Sequence, residues 1–227
     1  MRYDFAMISS GWEWNLEEVN QAGLYGIDLN STKAMSASEK VERLLNSAAM
    51  VGTTEKNWTG FVNDPQVSRV DVATDGTGSS TFWSAKSNDQ ILRDINDLIS
   101  SVRENTSKVE WVDTLRLPPE AFRLIATRRL GEGDGLPTLL EYIRRNNVYT
   151  AATGQQLDIQ PLRELANASQ DGGGRMVVYR RDSEVLRFDL PMPRRVLQPR
   201  QKSIMGFETG IIARTGGTEW RLPGAAA

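Results

Sequence analysis

Neither histidine nor cysteine occurs anywhere in this chain. Without histidine it lacks the side chain that most often moves protons near neutral pH and the commonest nitrogen ligand for metals. Without cysteine there are no disulfides, thiolate nucleophiles, zinc–thiolate sites or cysteine-held iron–sulfur clusters. Lack of cysteine also fits a reducing compartment. No apolar run approaches the ~20 residues that span a bilayer. The N-terminus, "MRYDFAMISSGWEWNL", has no basic stretch leading into an apolar one, so it does not read as a secretory leader. The Asn-x-Ser/Thr triplets at Asn30, Asn57, Asn105 and Asn167 then read as chance matches, since glycosylation needs a secretory route. The expectation is a soluble chain made in the cytoplasm, without membrane partners.

What is present is ordinary for a globular protein. The 227 residues are enough for one large domain or two small ones, with 39% hydrophobic and 25% charged residues. Net charge is −2, which argues against coating nucleic acid through bulk positive charge.

Helical and extended segments alternate irregularly along the sequence. Phe5–Trp14 reads as an aromatic extended stretch, followed by a short helix near Leu16–Ala22 with Asn15 as N-cap and Glu17 and Glu18 in its first turn. Ala34, Val41, Leu44, Leu45 and Ala48 predict a long helix over residues 32–50, stopping near Gly52. A loop with strand-like pieces runs from Trp58 to Trp83, and "TDGTGSSTF" is its most turn-rich part. Ile91, Leu92, Ile95, Leu98, Ile99 and Val102 form one stripe of a helix capped by Ser87 or Asn88 and ending near Asn105. "VEWVDTLRLP" alternates like a half-buried strand, "PPEAFRLIATRRL" starts a helix on proline, and "PTLLEYIRRNN" makes a further short one. The tail carries strand patterns at Arg175–Tyr179, Glu184–Leu190 and Met205–Ala213. Intermixed helices and strands without a repeat indicate an α+β fold.

Reaction centres are hard to build from these residues. "GEGDG" (131–135) and "GGG" (172–174) lack the lysine and hydroxyl of a phosphate loop and read as turns or inter-subunit loops. Asp182, Glu184 and Asp189 lack calcium-loop spacing, and the odd interval between Glu184 and Asp189 puts them on opposite faces of a regular strand. Lysines are few and none follows a serine in Ser-x-x-Lys spacing. No catalytic, cofactor-binding or metal-ligating residue is assigned.

Arginine doublets recur at Arg128-Arg129, Arg144-Arg145, Arg180-Arg181 and Arg194-Arg195. The stretch "PMPRRVLQPRQK" contains no acid. These cations read either as phosphate contacts or as partners for carboxylates, within the chain or on neighbouring subunits. The acidic balance and the lack of interleaved aromatics favour carboxylates. Arg194, Arg195, Arg200 and Lys202 are the candidate subunit-interface residues. The alternative is a nucleic-acid-binding module built on the doublets.

Four stretches taken in order resemble one family. They are "GWEWNLEEVNQAGLYGIDLN…VERLLNSAAMVG", "TGFVNDPQV", "ILRDINDLISSVRENT…VDTLRLPPEAFRLIATRRL", and "GGRMVVYRRDSEVLRFDLPMP" followed by "GIIARTGGTEWRLPGA". Together they resemble the major capsid proteins of tailed bacteriophages, in a subgroup long described only as conserved proteins of unknown function. The resemblance implies the tailed-phage capsid fold, with no enzymatic site. Residues 1–70 and 196–227 would be a peripheral domain of strands and a long spine helix. Residues 71–195 would be an axial domain, a mixed sheet flanked by helices, with the arginine-rich stretch linking the two. It further implies self-assembly into pentamers and hexamers of an icosahedral virion shell enclosing non-specifically held DNA, made in the bacterial host cytoplasm. Other capsid or scaffolding proteins are admitted as partners. Against that family the sequence starts where the second limb of an extended loop ends, so the N-terminal arm and most of that loop are expected to be missing from it.

Overall fold

A computed structural model of the chain describes residues 4–26, 28–131, 135–169 and 173–227. Strand β1 (Ala6–Asn15) alternates half-covered even-numbered side chains with exposed odd-numbered ones. Asn15 ends it and caps helix α1 (Leu16–Leu24), its side-chain oxygen accepting from the Glu17 N–H at 3.3 Å. Helix α2 (Leu29–Met50) begins three residues before the expected start because Asp28 accepts from the Ser31 N–H at 3.1 Å. Its inner face buries Ala37, Val41 and Ala48. Gly52 follows with φ +80°, the left-handed position that commonly stops a helix. Strands β2 (Gly52–Thr53) and β3 (Trp58–Thr59) then form a small hairpin.

The "TGFVNDPQV" segment has a definite physical task at this point. The N–H groups of Phe61 and Val62 donate to the carbonyls of Ala49 and Met50, at 3.0 and 2.9 Å. Asn63 donates from Nδ2 to the Val51 carbonyl at 2.8 Å and accepts the Gly60 N–H at 2.7 Å. Carbonyls that a helix end leaves unpaired are thereby satisfied. A Cβ at Gly60 would collide with the Met50 backbone, so only glycine allows this approach.

Helix α3 (Asn88–Asn105) opens with a reciprocal capping box. Ser87 Oγ accepts from the Gln90 N–H at 3.3 Å, and Gln90 Oε1 accepts from the Ser87 N–H at 2.8 Å. Next come β4 (Thr114–Leu117), α4 (Pro119–Thr127) with proline at its first position, α5 (Leu139–Arg145), α6 (Val148–Thr153) and β5 (Asp158–Pro161). Strands β6 (Val177–Tyr179), β7 (Leu186–Asp189), β8 (Met192–Val196), β9 (Arg200–Gln201), β10 (Gly206–Thr215) and β11 (Gly217–Trp220) complete the chain.

Two compact units result. The first comprises Met1–Asn63 and Phe188–Glu219, the second Asp64–Arg187 and Trp220–Ala227. In the first, β1 and β10 pair antiparallel over all ten residues, from Ala6 opposite Thr215 to Asn15 opposite Gly206. On its other side β10 pairs with β8, across a bulge between Ile212 and Arg214, and with β9. Ile8, Trp12, Ile211 and Ala213 of this sheet meet Ala37, Val41 and Leu45 of α2.

In the second unit β4 is the middle strand, parallel to β5 and antiparallel to β6. It is fully covered at Thr114, Leu115 and Leu117, and its central position explains why the expected half-buried strand is shorter and more buried. Ile91, Ile95, Ile99, Leu115, Ile125, Ile143 and Ile159 belong to one core. The C-terminal residues line β6, with Val178 and Ala227 exchanging both backbone bonds at 2.9 and 3.0 Å. These pairings put residues 220–227 with β6 and β8 with β10, whereas the expected borders lay at 70/71 and 195/196. Leu186–Asp189 pairs with Gly217–Trp220 as a ribbon. The segment read as an arginine-rich link instead contains β8 and β9.

Lys86 is fully buried and lies 2.7 Å from Asp94 Oδ2 and 3.0 Å from Asp75 Oδ1, and it donates to the Ala73 carbonyl at 2.7 Å. Trp83 Nε1 also donates to Asp94 Oδ2, at 3.1 Å. Removing Asp94 leaves the buried Lys86 with Asp75 as its carboxylate partner and takes away the acceptor of the Trp83 N–H. Asp94→Ala is therefore expected to destabilise the second unit by about 1–3 kcal/mol in urea unfolding followed by circular dichroism. Asn63→Ala, which strips the end of α2 of its side-chain cap, should cost the first unit about 1–2 kcal/mol in the same measurement.

Candidate assembly surface

The four cations singled out in the sequence lie around one sheet of the first unit. β8 and β9 sit on the same side of β10 and carry Arg194, Arg195 and Arg200, with Lys202 at the turn beyond. Arg194 bonds both Ser38 and Glu42 of α2. Arg200 pairs with Glu208 directly across the β9–β10 ladder. Lys202 holds Glu13 of β1, and Glu208 lies 3.8 Å from it. Arg195, opposite Ile212, is exposed and has no ion pair among the described residues.

Titration reflects these pairs. The hydrogen bond from Arg200 holds the Glu208 carboxyl below its ordinary value, and the bond to Glu13 raises the Lys202 ammonium. The hydrogen bond from Lys33 likewise lowers Glu18. Glu18 and Lys202 are exposed and Glu208 is half-buried, so these pairs orient side chains more than they stabilise the fold.

The other doublets follow the same rule: the first arginine is used inside its own unit. Arg128 donates to the Lys86 carbonyl at 2.7 Å, and Arg144 to the Ile159 carbonyl at 3.2 Å. Arg180 pairs with Glu110. The second members, Arg129, Arg145, Arg181 and Arg195, are exposed. Asp182 accepts the Glu184 N–H at 2.9 Å in a turn before β7, so strand alternation does not govern Glu184. Both carboxylates lie 4.0 Å from Arg180. Glu132–Asp134 of "GEGDG" and Gly172 of "GGG" lie outside the described residues.

Exposed apolar groups were not legible as such from the sequence. The β9–β10 turn is closed by the Lys202 and Ser203 N–H groups donating to the Gly206 carbonyl at 2.9 and 3.2 Å. At its tip Ile204 is 90% exposed. Leu24 and Tyr25 are similarly bare, and α1 buries none of its residues. Trp14 and Phe207 stack at 6.0 Å between β1 and β10, giving that end of the sheet a rigid aromatic step. No helix among the described residues is long and apolar enough to cross a membrane, and none of their carboxylates cluster as a metal site.

Among the described residues the arrangement offers a braced sheet, apolar tips and cations, but no convergent reactive groups. A sequence model of the family described as Major capsid protein matches residues 1–227. No curated protein matches the sequence. Among solved structures, the capsid of Myoviridae phage XM1 aligns with a TM-score of 0.77 at 16% identity, covering 98% of this chain and 71% of that one. A virus-like particle from Pyrococcus furiosus aligns at 0.58 and 12% identity, covering 98% and 75%. The capsid of an empty GTA particle aligns at 0.56 and 12%, covering 97% and 69%. These likenesses show the α+β tailed-phage capsid fold, and nothing among them supports the nucleic-acid-binding alternative. The chain belongs to the major capsid protein family and is a structural capsid subunit.

Proposed function

We propose that copies of this chain form pentamers and hexamers that close into an icosahedral virion shell around DNA, after synthesis in the bacterial host cytoplasm. The family match along the whole chain carries this reading. In it the first unit, with α2 as spine, is peripheral and the second is axial. The chain performs no catalysis, and its DNA contact is non-specific. Many weak, repeated interfaces become collectively strong in a closed lattice. Electron microscopy of purified protein with mass measurement tests the reading: rings or shells are expected, and a monomer at all concentrations would overturn it.

The four cations have unequal parts in this proposal. Arg194, Arg200 and Lys202 hold β8, β9 and the turn against α2, β1 and β10, and Arg195 is the cation left for a neighbour's carboxylate. Arg195→Glu should impair assembly while leaving the monomer's circular dichroism unchanged. Unaltered assembly removes Arg195 from the interface. Arg194→Glu sets like charges beside Glu42 and should loosen β8 in the monomer as well.

Their pH dependence has a definite sign. Glu208 is held below its ordinary value of 4.5, so its contribution is complete above 4.5 and fades as pH falls through the lower folded-state value. Lys202 is raised above 10.5, so its contribution is complete below 10.5 and is lost as pH climbs through the higher value. The Ile204 methyl resonances should accordingly stay fixed from about pH 5 to about pH 10 and move at both extremes. A shift centred near neutrality would contradict this bracing.

A further inference from the structure

Away from that surface, inside the second unit, the apolar stripe of α3 carries one acid. Asp94 stands on the buried face with Ile91, Ile95 and Leu98, and is 5% exposed. A buried carboxylate is costly without a partner. Lys86 supplies one, with Nζ 2.7 Å from Asp94 Oδ2, and no other lysine or arginine among the described residues is buried. Asp75 brings a second carboxylate, its Oδ1 3.0 Å from the same nitrogen. That oxygen is buried and accepts no aligned hydrogen bond among the described residues. Trp83 Nε1 donates to Asp94 Oδ2 at 3.1 Å, and Arg93 holds the other oxygen of Asp75.

An amine and a carboxyl held in contact where water does not reach are the two halves of an amide. Fixing reacting groups against each other is equivalent to an effective concentration of about 10⁵ M or more. The apolar wall keeps out the water that would reverse the reaction. A buried ion pair also costs much of its own attraction in lost hydration, a cost that ends when both charges disappear together.

We propose that Lys86 and Asp94 of one chain condense to an amide, with Asp75 as the proton carrier. The ion pair is the state before the bond forms. Asp75 Oδ1 takes a proton from the Lys86 ammonium, and the freed lone pair on Nζ attacks Asp94 Cγ. The Nζ–Cγ bond forms and the Cγ–Oδ2 bond breaks, its electron pair leaving with Oδ2. Two of the three Nζ protons depart with that oxygen as water, passed through Asp75, and one stays on the amide nitrogen. The Trp83 N–H steadies the charge on Oδ2 as its bond breaks. No oxidant or co-reactant is needed. Arg93 and Asp75 remain a pair afterwards, so no charge is stranded. The bond would bolt the start of α3 to the segment before it, in a chain without cysteine for disulfides. It is a single self-modification without turnover, and it is independent of the shell reading.

Mass spectrometry of the purified chain, folded and then denatured, tests the bond as the loss of one water. Trypsin should then release residues 70–93 joined to residues 94–103, because an acylated Lys86 is no longer cut. Asp75-Gly76 can also lose water, by closing a succinimide, although the Gly76 N–H is held by the Ser80 carbonyl at 3.0 Å. A succinimide leaves the two peptides separate, so water loss without joined peptides overturns the proposal. Lys86→Arg, which keeps the cation but removes the amine, and Asp75→Asn, which removes the proton carrier, should both retain the full mass. Water loss persisting in either variant overturns the chemistry as written. Where a variant fails to fold, the natural sequence still decides. A mass that stays at the full value through prolonged incubation leaves Lys86 and Asp94 an ion pair and overturns the proposal.

Discussion

The first unit depends on one strand being used on both sides. β10 gives its odd-numbered residues to β1 and its even-numbered ones to β8, β9 and the turn before it, where the Gly206 N–H donates to Ser203 Oγ at 2.9 Å. That phase also fixes the faces. Ile211 and Ala213 stand opposite Ser10 and Ile8 and meet Val41 of α2. A slip of one residue would turn them outward and bring Arg214 inward. Register, burial and the position of the exposed cations are therefore a single constraint. The second unit achieves the same end differently: β4 is paired on both sides, and the C-terminal residues complete the ladder beside β6.

The helices were legible because their signals are local. Asn15, Ser87 and the prolines before α4 announce starts, and the stripe from Ile91 to Val102 matches one buried face. Helix α6 escaped although Asn147 caps it, accepting from the Thr150 N–H at 2.8 Å, because six residues carry too little periodicity. β5 is four residues long, and only its parallel pairing with β4 makes it a strand. The tail strands were visible as strands, but β8 was not. Pro193 and two arginines read as a link, and at an edge those same residues are tolerated because nothing pairs beyond them.

The candidate site was half legible. The doublets drew attention to arginine, and the fold shows which member of each is bound within the chain. What the sequence could not supply was the division of labour within each doublet. Arg128, Arg144, Arg180 and Arg194 reach acceptors 42, 15, 70 and 152 positions away. Separations of that size follow only from the fold. Neither could sequence show that the "TGFVNDPQV" segment closes the end of α2, since Asn63 and Val51 meet only once the β2–β3 hairpin has formed.

This division shapes what assembly between copies has to rest on. A cation already bound to its own chain's carboxylate gives a neighbour little, since the new bond must first displace an old one. Three of the four cations around β8–β10 are in that position. What remains outward is apolar tips such as Ile204, together with the exposed Arg195. Apolar tips bury area when copies meet, while an exposed arginine adds orientation and partner choice.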